Sequence, residues 1–291
     1  RPPERQQRQP EFSGNHHRSN RRESGVPLLA AQQVWPGVKK TLIFSDVHLK
    51  TGEAHRPDRD AFVSFLRAFS PEEYDRFICL GDLFDFWFEY RHVIFSGCFE
   101  VLRAFADLRD AGVELHLVCG NHDFWAGRFL RDELGFHIHQ KPARLPFGDK
   151  TALFVHGDGV NPRDWGYRIY KRFARNPLVV RLFRLIHPDW AMAIAQGVSH
   201  GSRTLTRVED TAHGPEAAAI RAYATTLIAR GEADIVGCGH AHAPALEEHP
   251  APSGVGIYLN PGDWRATRSY IVWDADGFRL QYHGDEHPPT R

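Results

Sequence analysis

Five short polar motifs contain the residue types that bind divalent metals, and each motif follows directly on a short apolar run. Carboxylate, imidazole and amide groups suit borderline-to-hard divalent ions, and without cysteine ligands a purely structural zinc site is disfavoured. One such motif would carry little weight, because a lone histidine is usually a surface or hydrogen-bonded core residue. Five in succession are hard to produce by accident. In chain order they are SDVH (45–48), GDLFD (81–85), GNHD (120–123), HGD (156–158) and GHAH (239–242).

The apolar runs before the motifs predict buried β-strands. Amphipathic stretches of helical period, 60–69 and 99–112, separate the first three runs, and this alternation predicts a layered α/β domain. In α/β sheets, ligands bind outside the carboxyl ends of the strands, so the motifs are expected to share one edge. The predicted strands are TLIF (41–44), RFICL (76–80), ELHLVC (114–119), ALFV (152–155) and ADIVGC (233–238).

Two segments break the alternation of strand and helix. After GHAH, the runs GIYLN, SYIVW and GFRLQYH are separated by turns and predict an antiparallel meander. The segment from about 161 to 230 is nearly all helical and predicts a cap inserted into a domain that spans 39–283. The terminal segments, 1–27 and 284–291, contain little to bury and are expected to be disordered.

Composition excludes several classes of protein. Acidic and basic residues balance at 36 each, so the chain lacks the global charge of a nucleic-acid-binding protein. No stretch approaches the roughly 20 apolar residues that span a bilayer, and the first residues lack the apolar core of a secretory signal. The 4 cysteines form no CxxC pair and are interpreted as buried, reduced thiols, which suits a cytosolic protein.

The series DVH, GDLFD, GNHD, VHGD and GHAH resembles the calcineurin-like metallophosphoesterases from about residue 41 to 273. The resemblance implies a four-layer α-β-β-α sandwich with two divalent ions at one edge, most often Mn²⁺, with Fe²⁺ or Zn²⁺ as alternatives. It also implies that the carboxylate of Asp82 bridges the two ions. One ion would bind Asp46, His48, Asp82 and His242, and the other Asp82, Asn121, His156 and His240.

The same resemblance assigns catalytic roles to His122 and Asp85. His122 would lie above the reacting phosphorus, where it stabilises developing charge or protonates the leaving oxygen, with Asp85 as its orienting partner. Two metals about 3.5–4 Å apart can acidify a bridging water and hold the oxygens of an in-line displacement. A scaffold of this fold that has lost its chemistry is disfavoured, because no ligand is missing.

GDLFDFWFEY and the segment after HGD resemble the UDP-2,3-diacylglucosamine diphosphatases of lipid A biosynthesis, in the branch with histidine in GNHD. The better-known branch has arginine there, so the phosphate-binding role of that arginine does not transfer directly. The resemblance implies a nucleotide-linked glycolipid as substrate, cut at its pyrophosphate. A phosphoesterase for another substrate, such as a nucleotide, is the alternative. Residues expected near the substrate are Asn121, His122, Asp164, Tyr167, Ser199, Ser202 and Arg203.

The predicted cap combines cations with apolar side chains and has no acid between Trp165 and Pro188. A basic amphipathic helix can lie in a membrane interface, which predicts a cytoplasmic protein bound peripherally to the inner membrane. Alternatively, the apolar side of the cap helix packs on the protein core. Membrane contact and packing on the core are compatible with each other. A nucleic-acid-binding patch is less favoured, because the segment is not surrounded by an aromatic-bearing nucleic-acid-binding module. The cations are Arg168, Lys171, Arg172, Arg175, Arg181 and Arg184.

Overall fold

Two β-sheets pack face to face in the computed structural model, which describes residues 39–194, 197 and 214–284. The strands are β1 (Lys40–Phe44), β2 (Tyr74–Cys79), β3 (Glu114–Val118), β4 (Phe136–His139), β5 (Ala143–Phe147), β6 (Lys150–Val155), β7 (Ile235–Cys238), β8 (Ala245–Ala251), β9 (Gly254–Asn260), β10 (Ser269–Asp274) and β11 (Gly277–Tyr282). The helices are α1 (Arg56–Arg67), α2 (Phe99–Asp110), α3 (Trp165–Ala174), α4 (Pro177–Phe183) and α5 (Pro215–Ala229). Short 3-10 turns lie at Glu53–His55 and Ser96–Cys98, and a π-helical turn lies at Phe129–Glu133.

The first sheet has the strand order β11-β10-β1-β2-β3-β4, and the second has the order β5-β6-β7-β9-β8. Strands β1 to β4 are parallel to one another, as are β6, β7 and β9. The antiparallel partners lie toward the outside: β10 and β11 in the first sheet, β5 and β8 in the second. The five strands predicted before the motifs are all confirmed.

Successive side chains of a strand point to opposite faces of the sheet, and this alternation divides the core into layers. Leu42 and Phe44 of β1 face α1 and α2, whereas Ile43 faces the second sheet. Phe62 and Phe65 of α1 are fully buried on the first sheet, and each buried side chain of this size contributes about 1.5–3 kcal/mol. Helix α5 covers the opposite face of the second sheet through its small and apolar residues. The predicted four-layer α-β-β-α arrangement is therefore confirmed.

The predicted antiparallel meander after GHAH was wrong. Strand β9 lies in the second sheet, parallel to β7, whereas β10 and β11 form a hairpin beside β1 in the first sheet. The chain thus crosses from one sheet to the other between Asn260 and Ser269. An apolar run predicts a strand but not the sheet that it joins. Three further strands, β4, β5 and β8, had not been predicted.

The described part of the predicted cap consists of α3, α4 and a helical stretch at 188–194. Helix α5, which the sequence placed within the cap, packs on β7, β8 and β9 and belongs to the sandwich. We therefore propose that the cap ends before Gly214. Residues 1–38 and 285–291, which include the predicted tails, lie outside the described residues. Within the described part of the chain, no helix combines the length and the apolar character needed to cross a bilayer.

The four cysteines are buried and unbonded, as expected for reduced thiols. Burial raises the pKa of Cys98 to about 11 and that of Cys238 to about 12. Neither thiol is therefore a nucleophile near neutral pH.

Candidate metal centre and active site

The five motifs meet at one edge of the sandwich, where the carboxyl ends of β1, β2 and β3 lie beside those of β6 and β7. The side chains gathered there include every residue predicted as a metal ligand. They are Asp46, His48, Asp82, Asn121, His156, His240 and His242.

Asp46, His48 and His242 form a first group whose ligand atoms all lie within 4.8 Å of one another. Nε2 of His242 lies 3.3 Å from Oδ1 of Asp46 and 3.3 Å from Nε2 of His48. Two imidazole nitrogens that face each other at this distance are typical of ligands directed at a common cation. The third side of the group, from Nε2 of His48 to Oδ1 of Asp46, measures 3.8 Å.

Asp82, His156 and His240 form a second group of the same kind. Nε2 of His156 lies 3.3 Å from Oδ2 of Asp82 and 3.1 Å from Oδ1 of Asn121. Nδ1 of His156 donates to the main-chain carbonyl of Leu80 at 2.7 Å, which leaves Nε2 free to face the group. A hydrogen bond from the ring nitrogen that does not face the ion fixes the tautomer of a metal-binding histidine.

Asp82 lies between the two groups. Its Oδ2 is 3.8 Å from Nε2 of His48 in the first group and 3.3 Å from Nε2 of His156 in the second. Its Oδ1 accepts a hydrogen bond from the backbone N–H of His122 at 2.9 Å, which fixes the orientation of the carboxylate. One carboxylate thus faces both groups, as the bridging role implied by the family requires.

The donor set fits divalent ions on two grounds. Bonds of about 2.0–2.2 Å to one ion place adjacent ligand atoms roughly 3.0–3.6 Å apart. The closest pairs in the two groups are 3.1 to 3.3 Å apart. In addition, Oδ1 of Asp46 is buried without an aligned hydrogen bond, which is costly for a carboxylate oxygen unless a cation binds it.

Left-handed backbone is concentrated in the same motifs. Among the described residues other than glycine, φ is positive at six, with values from 49 to 67°. Such a conformation costs about 1–3 kcal/mol and persists only where the surrounding structure fixes it, often at functional sites. Five of the six are predicted metal ligands: Asp46, His48, Asp82, His240 and His242. The sixth is Arg268.

The pKa values of His48 and His156 shift in opposite directions. Burial lowers the pKa of His48 to about 3, so its imidazole is neutral, as a metal ligand must be. Burial also acts to lower the pKa of His156, but the negative charge of Asp82 outweighs it and raises the pKa to about 10. A cation that binds the second group must therefore displace a proton from His156.

His122 lies at the mouth of the two groups with its Nε2 3.9 Å from Oδ2 of Asp82. Its Nδ1 donates to the main-chain carbonyl of Asp85 at 2.6 Å, so its Nε2 faces the cleft. The carboxylate of Asp85 lies 3.9 Å from Nδ1 of His48. The sequence assigned the orientation of His122 to the Asp85 side chain, whereas this hydrogen bond comes from the Asp85 main chain.

Asp123, the last residue of GNHD, fixes the turn that presents Asn121 and His122. Its side chain is fully buried, and it accepts from the backbone N–H groups of Gly120 at 2.7 Å and Leu83 at 2.8 Å. These bonds hold the turns of GDLFD and GNHD against each other. A side chain at Gly120 would collide with the Asp82 carboxylate, which explains the glycine.

Asp158 of HGD connects the cap to this edge. Its buried Oδ2 accepts from Tyr167 Oη at 2.9 Å, Lys171 Nζ at 2.8 Å and the Arg175 guanidinium at 3.0 Å. All three donors lie on or next to α3, so one carboxylate holds this helix in place. Asp164 caps the start of α3 by accepting from the backbone N–H of Tyr167 at 2.9 Å.

The aromatic residues of the segment 84–88 have two kinds of surroundings. Phe84 and Trp87 stack on each other in the core, with ring centroids 4.4 Å apart. Phe86 and Phe88 contact Phe183 of α4, at 6.2 and 4.9 Å between centroids. Phe86 and Phe88 therefore pack against helix α4 of the cap.

A cleft of about 810 Å³ opens over the two metal-ligand groups. Its lining includes Asp164, Tyr167 and Glu216, together with residues 263–266 and 268 of the loop after β9. The volume is that of a site for a small molecule or cofactor-sized ligand.

Residues 39–244 match the sequence profile of a family described as calcineurin-like phosphoesterase. The chain belongs to the calcineurin-like phosphoesterase family.

The relatives of this phosphoesterase include three bacterial proteins named UDP-2,3-diacylglucosamine hydrolase. It is 32% identical to that of Porphyromonas gingivalis over 261 residues, which cover 83% of this chain and 97% of the relative. It is 29% identical to that of Ectopseudomonas mendocina, over 81% of this chain and 95% of the relative. It is 28% identical to that of Nitrosococcus oceani, over 82% of this chain and 93% of the relative.

The fold of this phosphoesterase brings most of the sequence-predicted site residues to the cleft. Ser199, Ser202 and Arg203 lie outside the described residues. Sequence reasoning gave no role to Asp123 or Asp158, although both lie in the motifs, because their buried hydrogen bonds depend on tertiary contacts. It also missed Glu216, whose Oε1 lies 3.9 Å from Nε2 of His240, since no motif surrounds that residue.

Proposed function

We propose that this calcineurin-like phosphoesterase hydrolyses the pyrophosphate of UDP-2,3-diacylglucosamine to UMP and 2,3-diacylglucosamine 1-phosphate, a reaction of lipid A biosynthesis. The chain is a hydrolase of its family, and the proposed substrate is the one for which its relatives are named. The observation that carries the proposal is a pair of metal-ligand groups joined at Asp82 beneath an apolar cap.

The proposed cofactors are two divalent ions, with Mn²⁺ favoured over Fe²⁺ or Zn²⁺. Oxygen and imidazole donors without thiolate suit these metals. Such ions would supply an acidified water and electrostatic stabilisation of the reacting phosphate. We assign Asp46, His48 and His242 to one ion, and Asn121, His156 and His240 to the other, with Asp82 shared.

We assign His122 to the reacting phosphate as acid or charge stabiliser. It lines the cleft, and its Nδ1 is occupied by the Asp85 carbonyl, so Nε2 is the atom available to substrate. The Asp85 carboxylate lies 3.9 Å from Nδ1 of His48, which makes no aligned hydrogen bond, and we propose that its negative charge supports His48 as a metal ligand.

The cap presents an unusual amount of apolar surface. Among the described residues, the large apolar side chains that are exposed lie mostly on α3, α4 and the stretch at 188–194. Exposed apolar side chains that cluster in this way mark interaction sites for lipid or protein when they form a patch. Since the same cap borders the metal cleft, acyl chains are the ligand that we propose for it. The residues are Trp165, Ile169, Tyr170, Phe173, Leu178, Leu182, Leu185, Trp190 and Ile194.

A comparison of acylated and unacylated substrates tests this assignment. We expect kcat/KM for UDP-2,3-diacylglucosamine to exceed that for UDP-N-acetylglucosamine by at least about 10²-fold, because each buried CH₂ contributes about 0.8 kcal/mol. Rates are measured by UMP release in detergent with Mn²⁺. A substrate with one acyl chain should lie between the two. Equal rates on all three would leave a phosphoesterase with a different substrate, such as a nucleotide.

We also propose peripheral contact of the cap with the cytoplasmic face of the inner membrane. The sequence had assigned all the cap cations to lipid, but Lys171 and Arg175 turn inward to Asp158. The other four cap cations are exposed. Arg184 lies 5.8 Å from the centroid of the Phe88 ring, so Arg168, Arg172 and Arg181 are the cations that we propose for anionic headgroups.

Replacement of Arg168, Arg172 and Arg181 by glutamine should therefore weaken binding to anionic vesicles by about 10²-fold, since each cation contributes about 1 kcal/mol at such a surface. Co-sedimentation with phosphatidylglycerol vesicles measures the effect, and turnover in detergent should be retained. The matched control replaces Arg56, Arg128 and Arg230, which are exposed outside the cap. Equal loss in the control would show that general charge, rather than the cap, drives binding.

A further inference from the structure

The loop between β9 and β10, residues 261–268, carries two arginines into the cleft. It crosses from the second sheet to the first directly beside the metal-ligand groups. Arg265 and Arg268 are both exposed, and both line the cleft. No motif in the sequence had drawn attention to this loop.

The loop is held rigidly by a buried carboxylate. Asp263 is 3% exposed, and it accepts from the backbone N–H of Ala266 at 2.9 Å and of Thr267 at 3.1 Å. The backbone N–H of Trp264 donates to the main-chain carbonyl of Asp46 at 3.3 Å. The position of the two arginines is therefore fixed relative to a proposed metal ligand.

Arg268 has a backbone conformation shared only with proposed metal ligands among the described residues other than glycine. Its φ is 49°, in the left-handed region. A long side chain gains nothing locally from this conformation, and glycine or asparagine would adopt it at lower cost. Strain of this kind that the fold retains is often associated with function.

The cleft is lined by residues of both charges. Its acidic residues include Asp164 and Glu216, and the nearby Lys171 and Arg175 are paired with Asp158. Its basic residues are Lys50, Arg265 and Arg268, and the side chains of His55 and Asp58 in the lining lie 3.7 Å apart. Among the described residues, neither arginine has a carboxylate within ion-pair distance, and the Arg268 guanidinium lies 6.0 Å from the centroid of the Trp264 ring. The charge of neither arginine is therefore neutralised by a protein carboxylate.

A pyrophosphate diester carries two phosphate groups, and a metal pair accommodates one of them. The second needs cations at a fixed distance from the metals, and guanidinium groups bind phosphate oxygens through paired hydrogen bonds. We propose that Arg265 and Arg268 bind the phosphate that is not attacked, and so select pyrophosphate substrates over single phosphoesters. This inference rests on the proposed function.

Inhibition by UDP and by UMP tests the proposal without the lipid substrate. Hydrolysis of bis(p-nitrophenyl) phosphate with saturating Mn²⁺ reports on the site, and the inhibition constants of the two nucleotides are compared. We expect UDP to inhibit the wild-type protein at least about tenfold more strongly than UMP, because it adds one charge-assisted phosphate contact. In Arg265→Gln/Arg268→Gln the two inhibition constants should become nearly equal.

The ratio of the two constants separates phosphate binding from a structural role. If the arginines only maintained the shape of the loop, the double variant would bind both nucleotides more weakly and the ratio of the two inhibition constants would not change. An unchanged ratio in the double variant would therefore overturn the proposal. Arg230→Gln, at the end of α5 remote from the cleft, should keep the wild-type ratio, and Arg265→Lys/Arg268→Lys should retain part of it. If wild type shows this ratio but does not cleave UDP-2,3-diacylglucosamine, the proposed function fails while the pyrophosphate site stands.

Discussion

Asp82→Ala is expected to lower turnover by more than about 10³-fold and to reduce the bound metal from two ions per chain to one or none. The physical reason is that Oδ2 of Asp82 faces both ligand groups, 3.8 Å from His48 and 3.3 Å from His156. Even one lost electrostatic contact to a transition state costs about 10²–10³ in rate, and this change would disturb both ions. Metal content is measured by atomic emission after dialysis, alongside turnover.

Two further variants make the Asp82 result specific. Asp82→Asn keeps the shape and can still accept from the His122 backbone N–H, so it tests the loss of charge with little loss of packing. Asp149→Ala removes an exposed carboxylate from the turn between β5 and β6, away from the cleft, and should behave like wild type. Near-normal turnover in Asp82→Ala would show that the bridging assignment is wrong.

His122→Ala is expected to keep two metal ions while its turnover falls by about 10²–10⁴-fold, the usual contribution of a positioned acid or base. His122 lines the cleft and lies 3.9 Å from Asp82, and its ring groups with His48 and Asp85 rather than with Asp46 or His156. Metal content and kcat are measured on the same preparation. His92→Ala, an exposed histidine outside the cleft lining, is the control.

Asp85→Asn gives the informative contrast with His122→Ala. The substitution retains the main-chain carbonyl that accepts from His122, but it removes a charge 3.9 Å from His48. We therefore expect weaker metal binding, whereas a direct role in orienting His122 would lower kcat with metal content intact. Loss of metal in His122→Ala would instead show that His122 is itself a ligand.

The sheet framework and the convergence of the motifs could be predicted from sequence because both depend on local patterns. Short apolar runs such as 76–80 and 114–119 identified strands, and the carboxyl ends of parallel strands necessarily share an edge. The strand order confirms the predicted fold, and the match over residues 39–244 confirms the predicted family. The metal assignments of Asp46, Asp82 and the other ligands stay predictions, supported by their separations and by the strained backbone at five of them.

What could not be predicted depends on contacts between segments that are distant in the chain. Nothing local distinguishes β9 from β10, although a crossover places them in different sheets. Lys171 and Arg175 have the pattern of exposed cations, and only the fold places the buried Asp158 beside them. Likewise, the main-chain carbonyl of Asp85 accepts from His122 while its carboxylate lies 3.9 Å from His48, an arrangement that residue identity does not reveal.

Phosphorus NMR of UDP-2,3-diacylglucosamine incubated with the protein and Mn²⁺ in detergent tests the central claim most directly. The proposed function predicts that the pyrophosphate resonances disappear and that two phosphomonoester resonances replace them, those of UMP and 2,3-diacylglucosamine 1-phosphate. Formation of UDP with unphosphorylated diacylglucosamine would contradict it. So would a persistent pyrophosphate in the presence of protein that hydrolyses bis(p-nitrophenyl) phosphate under the same conditions.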